Sequence, residues 1–177
     1  MRILLLRHGQ TDWNAQCKLQ GQVDIPLNRT GIAQAAKVKS DLEEYNIDIT
    51  FVSPLNRAIA TEEIIKGDKN WKTLIEPRLI ERSFGIYEGT DYNSLGALNL
   101  RDWKANIPIP GGESCMQVYE RILSFLEHLQ AEYPDKTVML VTHSNVARCI
   151  YWYFKGFPID NSPPYKTPHC QIIEYSC

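Results

Sequence analysis

Arg7-His8-Gly9 follows directly on the apolar run Ile3-Leu4-Leu5-Leu6 and joins an anion-binding side chain to a nucleophilic, proton-carrying one. Four apolar residues closed by a glycine predict a buried strand running into a tight turn, and open α/β sheets bind ligands beyond the carboxyl ends of their strands. A guanidinium offers a planar fork of NH donors to phosphate or carboxylate, while an imidazole can attack or carry a proton near neutral pH. The same side chains recur at two further junctions. Arg57 stands just beyond Ser53-Pro54, a serine N-cap followed by proline at the first helical position, and His143 follows the apolar run 137–141. In a first helical turn the NH groups and the dipole favour an anion, so a phosphate beside Arg57 would meet several donors. Singly, each residue has a plainer reading: Arg7 and His8 flank a turn, Arg57 pairs with a surface acid, His143 closes a strand end. Three strand-to-helix junctions with the same chemistry point to phosphate.

Alternating elements are needed to hold these junctions together. Thr30 as N-cap and a stripe of Ile32, Ala35, Ala36, Val38 and Leu42 predict a helix over 30–45, followed by a strand over 49–52. The helix opened by Ser53-Pro54 runs to Lys66 and stops at Gly67, and a strand over 72–75 comes next. Residues 78–112 are less regular, with a short helix over 92–104 and a break at Pro108, Pro110, Gly111 and Gly112. Within this stretch 86–112 is the expected substrate-covering insertion, where Trp103, Asn106 and Ile107 either wall the leaving group or, for Trp103, pack as core. Ser114-x-x-Gln117 is a capping box opening a helix with an apolar face of Val118, Ile122, Phe125, Leu126 and Leu129, ended by Pro134. A strand over 137–141, an aromatic helix to Phe154 and an edge strand over 171–175 complete the pattern. This alternation predicts an α/β fold, a three-layer α/β/α sandwich with a mainly parallel central sheet, as a single domain over 1–177.

Composition narrows the partners. The 177 residues are 44% hydrophobic and 23% charged with a formal net charge of -2, which suits a soluble globular chain and gives no footprint for nucleic acid. No apolar run is long enough to span a membrane, and Met1-Arg2-Ile3 leads into strand without a secretory signal, so a cytoplasmic location and a small phosphorylated metabolite are expected. The five cysteines lack metal-ligand spacing and fit reduced thiols. Cys115 and Arg121 have the spacing of a thiolate phosphatase loop, but the residues between them continue an amphipathic helix instead of converging NH groups on an anion. The aromatics of 151–157 suit either a dimer surface or a core helix.

The ordered set Leu6-Arg7-His8-Gly9-Gln10-Thr11, Ser53-Pro54-Leu55-Asn56-Arg57-Ala58 and Val141-Thr142-His143 resembles the histidine phosphatase superfamily, also called phosphoglycerate mutase-like. The resemblance spans nearly the whole chain and takes in Trp13-Asn14, 20–27, Gly31, Gln34-Ala35, Leu79-Ile80-Glu81, Phe84-Gly85, Glu88-Gly89 and 110–114. It implies that His8 attacks phosphorus, that Arg7, Arg57 and His143 surround the phosphoryl oxygens, and that Asn14, Gln20 and Gly21 help bind substrate. It also implies that Glu81 is the general acid and then the general base, with Glu76 and Glu88 as nearby acids or surface charges and Arg82 structural or substrate-facing. No metal or cofactor is implied, because arginines and histidines supply the positive charge. Ser144-Asn145 departs from the glycines often found after the second histidine, and Ser144 is read as a helix cap; Glu113-Ser114 has turn and cap duties. Hydrolysis of a small phosphomonoester is the first expectation. A mutase-type phosphotransferase, with longer segments shielding the intermediate from water, and a noncatalytic phosphate-binding module are the alternatives.

Overall fold

The computed structural model describes residues 1–98, 104–158 and 166–176. Its strands β1 (Arg2–Arg7), β2 (Ile49–Val52), β3 (Lys72–Ile75), β4 (Thr137–Thr142) and β5 (Ile172–Ser176) form one sheet in the order β3-β2-β4-β1-β5. β1 to β4 are mutually parallel and β5 pairs antiparallel with β1 at the edge. The central strands read as unbroken apolar runs because both faces are covered. Ile3, Leu5, Val138 and Leu140 meet α4 (Cys115–Glu132) and α5 (Ser144–Lys155), whereas Leu4, Leu6, Met139 and Val141 meet α2 (Arg29–Asp41) and α3 (Asn56–Lys66). The expected three-layer sandwich is the observed one.

Adjacent strands β1 and β4 send their following helices to opposite faces, which opens a crevice at their carboxyl ends. That is a topological switch point, the usual ligand position in open α/β sheets. His8 and His143 are the residues immediately beyond those two strand ends.

Several boundaries differ from expectation for tertiary reasons. α2 is capped by Asn28, whose Oδ1 accepts from Gly31 N (2.9 Å), and not by Thr30. Its buried positions are Gly31, Ala35 and Val38, continuing to Leu42 in a 3-10 turn over Leu42–Glu44, while Ile32 is 49% exposed and Ala36 faces solvent. The rotation follows from Gly31, which packs on the loop after β1 so closely that a β-carbon would overlap the Gln10 carbonyl. α3 starts at Asn56 with Leu55 at the cap position, and the Asp24 carboxylate accepts from Asn56 N (3.0 Å). A short helix α1 (Asp12–Ala15), closed by a Thr11/Asn14 capping box, was not expected.

The capping box at Ser114 and Gln117 opens α4 as anticipated, and Cys115 to Arg121 is helix. A 3-10 helix over Tyr92–Leu98 stands where a short helix was expected over 92–104, and Trp103 lies outside the described residues. Trp152 is buried, and Tyr151, Tyr153, Phe154 and Phe157 pack against the core, with Phe154 stacked on Tyr175 (ring centroids 4.5 Å apart). No described helix is long and apolar enough to cross a membrane.

Candidate active site

The loop after β1 holds His8 in a fixed tautomer. His8 N donates to Thr142 O (3.0 Å), and Nδ1 lies 2.7 Å from Gly9 O. A carbonyl only accepts, so Nδ1 carries the proton and the lone pair is left on Nε2. His143 packs against this ring with centroids 5.0 Å apart. Arg57 Nε donates to His143 Nδ1 (3.3 Å), which puts the His143 proton on Nε2, donated to Ser53 Oγ at 2.6 Å. Ser53 Oγ thus meets His143 while also accepting from Leu55 N (3.4 Å), one residue before α3 begins.

Arg57 is 1% exposed, and its remaining anchors are the carbonyls of Val23 (2.8 Å) and Gly21 (2.7 Å). Three of its NH bonds thus fix the guanidinium plane, and two remain for an anion. Gly21 adopts φ +52°, and a β-carbon there would overlap the Glu88 carboxylate, so glycine is required where the loop closes over Arg57.

A clasp from near the other end of the chain closes the arrangement. Arg7 Nη1 donates to Thr167 O (2.8 Å), Cys170 N to Arg7 O (2.9 Å), and His169 Nδ1 to His8 O (2.7 Å). Sequence reasoning passed over His169. No spacing marks it, since its role is to donate to a backbone carbonyl.

Burial is the first cause that holds His8, His143 and His169 below the ordinary imidazole pKa. Guanidinium charge comes next, from Arg7 and Arg57 at His8, from Arg57 at His143, and from Arg7 at His169, which falls to about 4. Neutral rings near pH 7 follow, the state a nucleophile needs. Below the unfolded value of about 6.5 the unfolded chain binds more protons than the folded one, so stability must rise with pH there. The contribution is fully present above about pH 6.5 and is lost as pH falls toward the folded values, at about 1.4 kcal/mol per pH unit for each ring protonated only on unfolding. The urea midpoint is therefore expected to be lower at about pH 5.5 than at about pH 7.5, and equal midpoints would contradict this assignment.

Glu81 is buried, and its Oε1 accepts from Arg82 N (2.8 Å) and from Asn145 N (3.3 Å) in the first turn of α5. Asn14 Oδ1 accepts from Thr11 N (3.1 Å), leaving the amide NH2 for a ligand, and Gln20 Oε1 lies 2.9 Å from Thr11 Oγ1. Arg7, His8, Asn14, Gln20, Gly21, Arg57 and Glu81 line one cavity of about 220 Å³. Of the expected site residues only His143 is not on its wall; fully buried, it stands behind His8 and Arg57 and orients them.

The rival acids have structural duties. Glu76 caps Arg78 N (2.9 Å) and ion-pairs with the Arg78 side chain (2.8 Å), and Glu88 Oε1 joins Gln22 N and Phe84 N (both 3.0 Å). Arg82 is buried and donates to Glu113 O (2.8 Å), while Glu113 itself ion-pairs with Arg121 (3.0 Å). Ser144 is not the cap of α5: His143 occupies that position, and Ser144, the first helical residue, lines the cavity. Phe84 and Asn145, quoted in the sequence for the resemblance and for a departure from it but given no site role, also line it, as do Leu19, Tyr92 and Arg148, which sequence reasoning assigned no part in the site. Helical spacing from Ser144 to Arg148 was the one signal for the last of these.

Residues 3–177 match the family model for the histidine phosphatase superfamily (branch 1). The chain belongs to this superfamily. It is 35% identical over 154 residues to the uncharacterized phosphatase PhoE of Bacillus subtilis, covering 87% of this chain and 77% of that one. It is 33% identical over 158 residues to phosphoglycerate mutase-like protein 4 of Arabidopsis thaliana, covering 84% of this chain and 69% of the relative. Among solved structures, a mycobacterial glucosyl-3-phosphoglycerate phosphatase in complex with VO3 superposes with a TM-score of 0.86 at 26% identity, over 99% of this chain and 92% of the other. The histidine phosphatase chain described here is thus a phosphatase-type enzyme by kinship, with a switch-point cavity that holds the residues its motifs single out.

Proposed function

We propose that this histidine phosphatase hydrolyses a small phosphomonoester through a phosphohistidine on His8, without a metal ion. The observation that carries the reading is the Nδ1 to Gly9 O hydrogen bond at 2.7 Å, which directs the His8 lone pair to Nε2 inside a cavity shared with Arg7, Arg57 and Glu81. In the first step Nε2 attacks phosphorus and the ester P–O bond breaks. Glu81 gives its proton to the departing alkoxide, and the arginines hold charge on the equatorial oxygens while attacking and leaving atoms are in line. In the second step the Glu81 carboxylate takes a proton from water, the water oxygen bonds phosphorus and the P–N bond breaks. Inorganic phosphate leaves and the neutral imidazole is restored. His143 positions His8 and Arg57, and Asn14, Gln20 and Gly21 shape the phosphoryl end.

Residues 86–112 form the substrate-covering part of the domain in this reading, supported by Tyr92, which lines the cavity and is tied by its NH to Cys17 O (2.8 Å). Both the nucleophile and the acid face the cavity, which favours catalysis over a noncatalytic phosphate-binding role. The test is turnover of nitrophenyl phosphate with excess chelator from about pH 5 to about pH 8. Undiminished activity with chelator is expected. Activity that disappears with chelator and returns with a divalent metal would overturn the metal-independent mechanism.

A further inference from the structure

Arg57 is buried, yet among the described residues no carboxylate comes within ion-pair distance of it. It is held instead by His143 and by the backbone carbonyls of Gly21 and Val23. Between those two carbonyls stands Gln22, whose NH donates to Glu88 Oε1 (3.0 Å). Gly21 C=O and Gln22 N–H belong to one planar trans peptide and so point in opposite directions. That single peptide is gripped at both ends, by the guanidinium on its oxygen and by the carboxylate on its NH. Its dipole runs between cation and anion, an arrangement in which each hydrogen bond polarises and strengthens the other.

Gly21 makes the second grip necessary. Glycine takes its φ of +52° and several other conformations at little cost, so the peptide after it can turn over unless its NH is tied. A turned peptide takes the Gly21 carbonyl away from Arg57 Nη2 and frees the guanidinium plane. Glu88 is itself well placed to resist this, because Oε1 also accepts from Phe84 N (3.0 Å) and the next residue, Gly89, donates its NH to Leu19 O (2.7 Å). Burial lowers the Arg57 pKa, and the charges of Glu81, Asp24 and Glu88 act against that. Glu88 is not on the cavity wall, so it reaches a ligand only through what it holds.

We propose that Glu88 is a positioning residue for phosphoryl transfer: by fixing the Gly21–Gln22 peptide it aims the free NH groups of Arg57 at the phosphoryl oxygens. The inference rests on the hydrolytic reading above. A rival route runs through the same residue, since Gln22 Nε2 donates to the Glu81 carbonyl (3.0 Å). The two routes differ in which part of the substrate they serve. Arg57 meets the phosphoryl group that every ester shares, whereas Glu81 meets the leaving group.

Glu88→Ala is expected to lower kcat/KM by roughly 10- to 100-fold, the scale of one charge-assisted hydrogen bond, and by the same factor on nitrophenyl phosphate and on an alkyl phosphate. The Kd for inorganic phosphate, read by calorimetry, should rise as well. Glu88→Gln keeps an acceptor for both NH groups and loses only the charge, so it should fall between Glu88→Ala and the wild type. In an Arg57→Lys background, where the guanidinium fork is gone, either substitution is expected to cost less than about 2-fold more. Losses that multiply in the double variants overturn the inference, as does wild-type behaviour of Glu88→Ala. A loss confined to the alkyl ester also overturns it, by routing Glu88 through Glu81. If Glu88→Ala does not fold, the cycle with Glu88→Gln decides alone. A wild type that turns over no ester removes the hydrolytic reading, and the same cycle measured in phosphate Kd still decides whether Glu88 acts through Arg57.

Discussion

Substituting His8 with alanine is expected to lower phosphomonoester turnover by ~10⁴-fold or more, because the two-step route has no substitute for the attacking nitrogen. The surrounding Arg7 and Arg57 remain in the variant and bind phosphate, so the loss should fall on kcat. His8 is buried and uncharged, and its replacement removes a hydrogen bond to Gly9 O but leaves no ion unpaired. The variant should fold, which phosphate binding by calorimetry would check. Rapid quench of the wild type with a labelled ester should trap phosphate on His8 in an acid-labile, alkali-stable linkage that is absent from the variant. Activity that survives the substitution would eliminate the phosphohistidine route.

The second large effect concerns Glu81. Glu81→Gln keeps the shape of the side chain and an oxygen to accept the Arg82 and Asn145 NH groups, but it can neither give nor take the catalytic proton. A loss of about 10²- to 10⁴-fold is expected on an alkyl phosphate, whose alkoxide must be protonated as it leaves. Nitrophenyl phosphate, with a leaving group stable as an anion, should lose much less in its first step. Phosphoenzyme should then accumulate, because water activation is lost as well. A burst of nitrophenol followed by a slow steady state is the expected trace. An equal loss on both esters, with no burst, would show that Glu81 serves structure and not proton transfer.

How much of this was legible in the chain depended on whether the physics was local. β1, β2 and β4 are apolar runs bounded by turn residues, and α4 announces itself through Ser114 and Gln117, so these elements could be placed nearly to the residue. The errors came where a distant group competes for a local signal. Ser53 has the sequence of an N-cap, yet its hydroxyl meets His143, ninety residues away in the chain, and α3 begins later. Ile32 fits a helical stripe, yet close docking of Gly31 on the loop after β1 turns it toward solvent. The site divides in the same way. Residues next to strand ends were readable because topology alone brings strand ends together. Arg148 and His169 were not, since one looks like a surface arginine in an aromatic helix and the other like a histidine in a proline-rich tail.

The position of β1 in the sheet has a consequence for synthesis. Ile3 to Leu6 leave the ribosome well before the strands that flank them, residues 137–142 and 172–176, so β1 waits longest of the strands for its partners. Loop closure over such separations is entropically costly and slow, and an unpaired apolar strand is exposed to aggregation meanwhile. His8 follows this strand's end and is clasped by residues 167–170, so a nascent chain stalled before that clasp has the motif without the arrangement around it. The arrangement around His8 is in this way assembled only after its clasp has been made, long after the motif itself.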